Sequence, residues 1–417
     1  MKTLIESQKN KEIVTKLVIT EYRNKIASVL MEDSRPVQIS MEPKNQESVL
    51  GNIYIGRVQN IVKNINAAFV EIAPGNVCYY SLSENRRHWF GSSPEDRPLR
   101  IGDEIMVQIE KDSMKTKSPM LSSNISLSGK YCVVTALNSQ ISFSSKIRAA
   151  QWKETLKSRL EEVRTKPWGV IVRTNARDAE DEAILAEYKQ LTGILDKIIA
   201  DREFRTCYTI LYQAVPAYLS EVRNAYAASL KAIVTDGKRL YEEIHSYLSL
   251  CQPEDLDKLV FYDDPMLSLT SLYSLETAFS QAVQPRVWLK SGGYLVIEPT
   301  EAMTVIDVNT GKFSGKKNMR DTLLKINLEA AEAVAHELRL RNLSGIIIVD
   351  FIDMEAEEDK ELLMELLRSA VRNDPVKTTV VDMTKLNLVE LTRKKVRPSL
   401  YQQMGTECCR IYGKMED

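Results

Sequence analysis

A multi-domain α/β protein, with a small β-barrel near its N-terminus and an α/β unit near its C-terminus, is what this 417-residue sequence predicts. Three observations carry that reading. Short strand-like runs separated by turn residues crowd residues 50 to 130, the pattern of a small closed barrel. From 216 onward strand and helix patterns alternate. After 285 a hairpin, a long helix and an apolar strand follow one another, the grammar of a packed α/β layer.

Taken in order, Thr15 to Tyr22 is β-branched and reads as a strand. A polar stretch with prolines follows, Asp33 to Pro36 and on through Pro43 to Gln46. The barrel strands are expected at Gly51–Val58, Ala67–Ile72, Ile105–Ile109 and Asn124–Leu127, with a long loop at His88–Arg100. Trp152, Leu156, Leu160 and Val163 have helical spacing. Trp168–Thr174 reads as a buried strand and 178 to 200 as helix. Lys231–Thr235 is a strand and Gly237–Leu248 a helix. Gly293–Glu298 and Met303–Val308 form the hairpin, and Asp321–Leu343 the long helix, ended by Ser344-Gly345. Ile346–Asp353 is the apolar strand.

Composition narrows the function. Hydrophobic content of 44% and charged content of 27% are ordinary for a globular protein. Lys and Arg number 56 against 57 Asp and Glu, which excludes a uniformly basic nucleic-acid binder and leaves room for a local basic patch. Met1 to Val14 lacks a signal peptide's apolar core, and no apolar run reaches the roughly 18 residues of a membrane helix. A cytoplasmic protein with no membrane segment is expected. The six cysteines are scattered, so free thiols are expected. Three distant histidines make a His-rich zinc site or a Ser-His-Asp triad a poor reading.

The sharpest constellation is Asp307, Asn309 and Asp350. Alternation along a strand puts Asp307 and Asn309 on one face, and Asp350 follows a run of four apolar residues. A carboxylate there must be paired, hydrated or metal-bound. Two carboxylates and an amide oxygen, completed by water, suit magnesium. The plainer alternative has Asp307 opening a turn and Asp350 ending a strand. Tyr54, Phe69, Tyr79 and Tyr80 are candidates for stacking the bases of a single strand on the barrel, with Lys111 and Lys117 for phosphates. Phe69 reads equally as core. Arg173-Thr174 makes a phosphate clamp or a solvated strand end, and Arg393 to Arg397 a phosphate contact or a solvated basic run.

Several segments together resemble the RNase E/G family of bacterial ribonucleases. They are Gly51–Val58, Ala67–Glu71, Ser291–Ile297, Glu301–Gly311, Asn327–Glu332 and Leu338–Met354, the last two long and specific. The resemblance covers essentially the whole chain. It implies a split RNase H-like unit at 1–47 and 219–282. Inserted in it would be an S1-type OB barrel at 48–129 and a 5′-sensor region at 130–218. A DNase I-like catalytic unit would follow at 283–404.

The resemblance also implies roles: magnesium (or manganese) on Asp307 and Asp350, with Asn309 orienting the attacking water or the scissile phosphate. It implies Phe69, Tyr79 and Lys117 gripping single-stranded RNA, with Tyr79 where Phe is usual, and a 5′-monophosphate pocket of Gly129, Val133, Arg173, Thr174 and Lys377. Lys377 keeps a charge but not the bidentate geometry of the Arg found in some relatives. The expected activity is single-strand-specific endoribonuclease action in rRNA processing and mRNA decay, leaving 5′-phosphate and 3′-hydroxyl ends.

One motif departs. The family's Cys-Pro-x-Cys-x-Gly segment, through which two protomers share a zinc, reads Glu407-Cys-Cys-Arg-Ile-Tyr-Gly413 here. That leaves Cys408 as the zinc-ligand candidate, with Cys409 in the proline position, so a zinc link at 405–417 is not expected and a homodimer stays open. The chain ends at Asp417, as in the shorter, ribonuclease G-like members, so no scaffold tail is expected. The competing readings are an RNA-binding or ribosome-assembly factor without catalysis, which the retained acids disfavour, and a DNA nuclease, which a single-strand barrel disfavours.

Overall fold

The computed structural model describes residues 14–44, 49–111, 118–226, 229–311 and 319–405. The chain divides into two compact units, one of residues 1–44, 232–238 and 261–417, the other of residues 45–231 and 239–260. It is a mixed α/β protein with a closed five-stranded barrel and several further sheets. No helix among the described residues is long and apolar enough to cross a membrane. The described cysteines, Cys78, Cys132, Cys207 and Cys251, are free.

The first unit opens with a meander, Thr15–Tyr22, Lys25–Glu32 and Arg35–Pro43, to which Leu230–Thr235 and Leu259–Phe261 add on the other side. The strand Arg35–Pro43 thus runs through the Pro-containing polar stretch. Asp33 and Ser34 both take positive φ, the backbone of a two-residue hairpin turn. Pro36 is tolerated because its strand is at the sheet edge and the register slips opposite it, between Leu30 and Met31. Val18, Val29, Ile39 and Met41 pack on Leu275, Phe279 and Leu400.

The same unit contains a six-stranded sheet, in the order Arg286–Trp288, Tyr294–Pro299, Met303–Asn309, Gly345–Asp350, Leu388–Arg393, Thr378–Met383. Met303–Asn309 and Gly345–Asp350 run parallel, joined through the helix Met319–Leu340. Leu295, Ile297, Ile306, Val308, Ile347, Val349 and Leu391 form one face, packed against Ala330, Val334 and Leu338 of that helix and Leu363 and Leu367 of Glu357–Ala370. The alternate residues form the other face, which remains open. Asn342, not Gly345, stops the long helix. It takes φ 50°, and Leu343 N–H donates to the Leu338 carbonyl at 3.0 Å, closing a Schellman turn. Gly345 then starts the next strand.

In the second unit the barrel runs Ile53–Val62, Ala67–Ala73, Asn76–Ser81, Met120–Ser122, Glu104–Lys111, and closes where Glu104–Lys111 pairs with Ile53–Val62. Val58, Val70, Ile72, Cys78, Tyr80, Ile105, Val107 and Leu121 fill it. Residues 124–127 fall outside the barrel. Ser126–Ser128 instead edges a separate four-stranded sheet with Cys132–Thr135, Gly169–Val172 and Ile141–Phe143. The helices Ala150–Val163 and Asp181–Asp201 cover that sheet through Leu156, Leu160, Ile184 and Leu195.

Candidate active site

The parallel register of Met303–Asn309 and Gly345–Asp350 places Asp307 directly beside Asp350. Neighbouring strands lie about 4.8 Å apart, so the two carboxylates stand abreast. Alternation sends Ile306, Val308, Ile347 and Val349 into the helix-covered core, and so sends Asp307, Asn309 and Asp350 to the open face. Both acids are exposed. The Asn309 Nδ2 donates to Asp307 Oδ2 at 2.5 Å. Among the described residues no Lys or Arg forms an ion pair with either acid. Partial burial, then the neighbouring carboxylates of Asp307 and Asp353, hold the Asp350 carboxyl above its ordinary range.

Glycine and amide contacts hold this end of the sheet in shape. Gly311 has φ +62°, and a Cβ there would lie 2.2 Å from the Gly292 carbonyl oxygen. A Cβ on Gly293 would lie 2.8 Å from the Asn309 carbonyl oxygen. The Ser291-Gly-Gly and Asn309-Thr-Gly segments can touch only because these positions lack side chains. The Glu329 carboxylate accepts from Lys290 N–H at 2.5 Å and Ser291 N–H at 3.0 Å. Just beyond Asp350, the fully buried Asn327 side chain clamps Ile352, donating to its carbonyl at 2.7 Å and accepting from its N–H at 3.1 Å. Asn387 Nδ2 donates to Asp353 at 3.1 Å.

This donor set fits a hard divalent ion. Two adjacent, uncompensated carboxylates supply charge. No cluster of three or more His, Cys, Asp or Glu side chains able to hold a metal is found among the described residues.

The barrel presents a second surface. Phe69 pairs with Tyr79, Tyr79 with Met120, and Met120 with Lys111, one row across four strands. The Phe69 and Tyr79 rings meet edge to face at 6.3 Å, both half-buried on the barrel exterior. Lys111 Nζ lies 3.4 Å from Met120 Sδ. Tyr54 and Tyr80, by contrast, are core residues and not stacking candidates. Along Asn76–Ser81, Cys78 and Tyr80 alternate inward while Tyr79 points out. Tyr80 Oη bonds His88 Nδ1 at 2.7 Å inside the barrel, and Tyr54 Oη accepts from Asn52 Nδ2 at 3.1 Å.

A third cluster lies on the four-stranded sheet. Val133 pairs with Ser128 and Ile171, so Gly129 and Arg173-Thr174 flank the same strands. The Arg173 guanidinium donates to the Gly129 carbonyl and, at 2.7 Å, to Asn224 Oδ1. Burial, then the adjacent Arg223, makes its charged form less favourable than usual. Thr174 Oγ1 bonds Ser144 Oγ at 3.1 Å. The N–H groups of Lys130, Tyr131 and Cys132 converge on the Glu187 carboxylate at 2.6, 2.8 and 2.8 Å. A Cβ at Gly129 would lie 2.3 Å from that carboxyl carbon, so any side chain there would have to displace the Glu187 carboxylate from these N–H groups.

The sequence profile of the Ribonuclease E/G family matches residues 126–396. The chain belongs to that family. It is 33% identical to ribonuclease G of Haemophilus influenzae over 403 residues, covering 94% of this chain and 82% of the relative. It is likewise 33% identical to ribonuclease G of Escherichia coli K12 over 387 residues, 90% and 79% of the two chains. Against ribonuclease E of a Nostoc species identity is 31% over 410 residues, 94% of this chain and 58% of that one.

In this ribonuclease E/G chain the structure brings together Asp307, Asn309 and Asp350, then Phe69 and Tyr79, then Gly129, Val133, Arg173 and Thr174. Lys377 is exposed at the start of Thr378–Met383, in the other unit from Arg173. Lys117 and Cys408 lie outside the described residues. In the basic run, Arg393 is not a phosphate contact. It is 3% exposed and paired with Asp374 at 2.7 Å. Lys394 and Lys395 are exposed. Asn327, Glu329 and Glu187 were not singled out from sequence. A polar residue at a core-facing helical position was the available signal for Asn327 alone.

Proposed function

We propose that this endoribonuclease of the E/G family cuts single-stranded RNA at Asp307 and Asp350 with magnesium, manganese being a substitute. The carrying observation is the pair of exposed carboxylates, abreast on adjacent parallel strands and without a cationic partner among the described residues. Asp307 and Asp350 would hold the ion, which supplies Lewis-acid stabilisation of phosphodiester charge and a more acidic bound water. Asn309, already hydrogen-bonded to Asp307, fixes that carboxylate's orientation and offers an amide to the water or scissile phosphate. Asn327 keeps the chain after Asp350 in place.

In this reading the six-stranded sheet is the DNase I-like catalytic unit and the meander belongs to a split RNase H-like unit. The barrel grips RNA through Phe69, Tyr79 and Lys117. Arg173 and Thr174, with Gly129 and Val133, favour a 5′-monophosphorylated end. The products carry 5′-phosphate and 3′-hydroxyl ends, and the substrates are rRNA precursors and mRNA in the cytoplasm. A short AU-rich RNA bearing a 5′-monophosphate tests the core of it. Cleavage should require magnesium, stop with EDTA, and be lost in Asp307→Asn while RNA binding persists. Near wild-type cutting by that variant would remove the metal assignment. Arg173→Ala should erase the preference over a 5′-hydroxyl substrate, and an unchanged ratio would remove the sensor.

A further inference from the structure

The open face of the catalytic sheet carries more than the acids. Trp288 pairs with Tyr294 across the edge strands, and Tyr294 pairs with Asn309. One row along, Arg286 pairs with Val296, Val296 with Asp307, and Asp307 with Asp350. Cross-strand partners project from the same face of a sheet. Arg286, Trp288 and Tyr294 therefore stand on the face that presents Asp307, Asn309 and Asp350. At about 4.8 Å per strand, Arg286 is about 10 Å from Asp307 along its row.

The three side chains are packed on one another. The Trp288 and Tyr294 rings are 5.2 Å apart at 57°. The Arg286 guanidinium lies 4.6 Å from the Tyr294 centroid and 5.8 Å from that of Trp288, within cation–π range. Trp288 is nonetheless 64% exposed. No ion pair to Arg286 is found among the described residues. A single exposed apolar residue needs no explanation. An open indole and a phenol ring, backed by a guanidinium without a carboxylate partner and in register with two acids, are different. Aromatic faces that stack successive bases, with cations for the backbone, are how single strands are held without reading sequence.

We propose that Trp288, Tyr294 and Arg286 form a stacking subsite for an unpaired base of the RNA strand, adjoining the scissile phosphate. The subsite rests on the reading of Asp307 and Asp350 as the reaction centre. Trp288 offers the open π face. Tyr294 sets the tilt of the indole and adds ring area. Arg286 supplies positive charge beside two acids that would otherwise repel an incoming phosphate. The ligand class is a flanking nucleotide of single-stranded RNA, with any base accepted.

The test uses the full chain and a 5′-monophosphorylated single-stranded RNA whose cut position has been mapped with the wild type. Trp288→Ala should raise KM about fivefold or more, the loss expected for one stacked base. Trp288→Phe, which keeps a π face, should recover most of that loss. Substrates with one abasic nucleotide at each position flanking the cut supply the second arm. At one position the abasic site should weaken wild-type binding by the same factor and leave Trp288→Ala unaffected. An unchanged KM in Trp288→Ala, or abasic penalties that add to the variant's at every position, would overturn the subsite. The binding arm is repeated in Asp307→Asn with EDTA present. Loss of the base effect there counts against the subsite, whereas full cleavage by Asp307→Asn counts only against the reaction centre.

Discussion

At the Gly345 end of the central strand Gly345–Asp350, Asp374 is buried and its charge is met. Arg393 contacts both its oxygens, at 2.7 and 3.2 Å, and also donates to Asn342 Oδ1 and the Leu343 carbonyl. At the Asp350 end of the same strand, two carboxylates stand side by side in the open with no cation paired among the described residues. One end satisfies its charges internally and closes the sheet. The other leaves like charges together, an arrangement that costs stability and is tolerated because the acids are exposed. Charge pairing, not acidity alone, separates the two ends: Asp374 is neutralised by a guanidinium, while Asp307 and Asp350 are exposed and have no paired cation among the described residues.

Substitutions can sharpen or break that contrast. The largest effect is a crossed one. Asp350→Asn should abolish cleavage with no loss of folding stability, whereas Arg393→Met should cost about 3–5 kcal/mol by removing the guanidinium that neutralises the buried Asp374 carboxylate. The double change Arg393→Met with Asp374→Leu should recover most of that cost, since apolar replacement of a whole buried pair is often neutral. Urea unfolding and a cleavage assay read both ends. A destabilised Asp350→Asn would erase the distinction.

Asn327→Ala should come next. It leaves the Ile352 N–H and carbonyl without their partner, costing about 1–3 kcal/mol, and should lower kcat more than it raises KM because Asp350 loses its adjacent anchor. A loss of stability with unchanged kcat would confine Asn327 to a structural role.

The smallest effect concerns pH. Burial, then Asp307 and Asp353, raises the folded-state pKa of Asp350 above its unfolded value of about 3.9. The folded state thus holds this proton more tightly. The associated stability is present below the unfolded pKa and lost as pH rises through the folded one. In EDTA, wild type should fall progressively below Asp350→Asn in stability as pH rises from about 4. A gap that is constant or narrows over that range would contradict the crowding at the open end.

Much of the architecture was legible locally. Thr15–Tyr22 is a strand with the bounds its β-branched pattern indicates, and the hairpin, long helix and apolar strand after 285 appear in the expected order. The strands around Asp33-Ser-Arg-Pro were not legible, because positive-φ hairpin residues and an edge proline look like loop when the sheet around them is unknown. Tyr80 was misread as a surface residue because its neighbour Tyr79 is one, and only barrel closure decides which of two adjacent tyrosines faces inward.

The sequence by itself determined that Asp307 and Asn309 share a face and that Asp350 follows a run of four apolar residues, since side-chain alternation depends only on neighbours in the chain. Tertiary structure alone decided that Asp307 lies beside Asp350, that Trp288 and Tyr294 align with Asn309, and that Arg393 is buried while Lys394 is not. Strand register is set by cores assembled from distant segments, and a shift of one residue would turn each of these side chains to the opposite face.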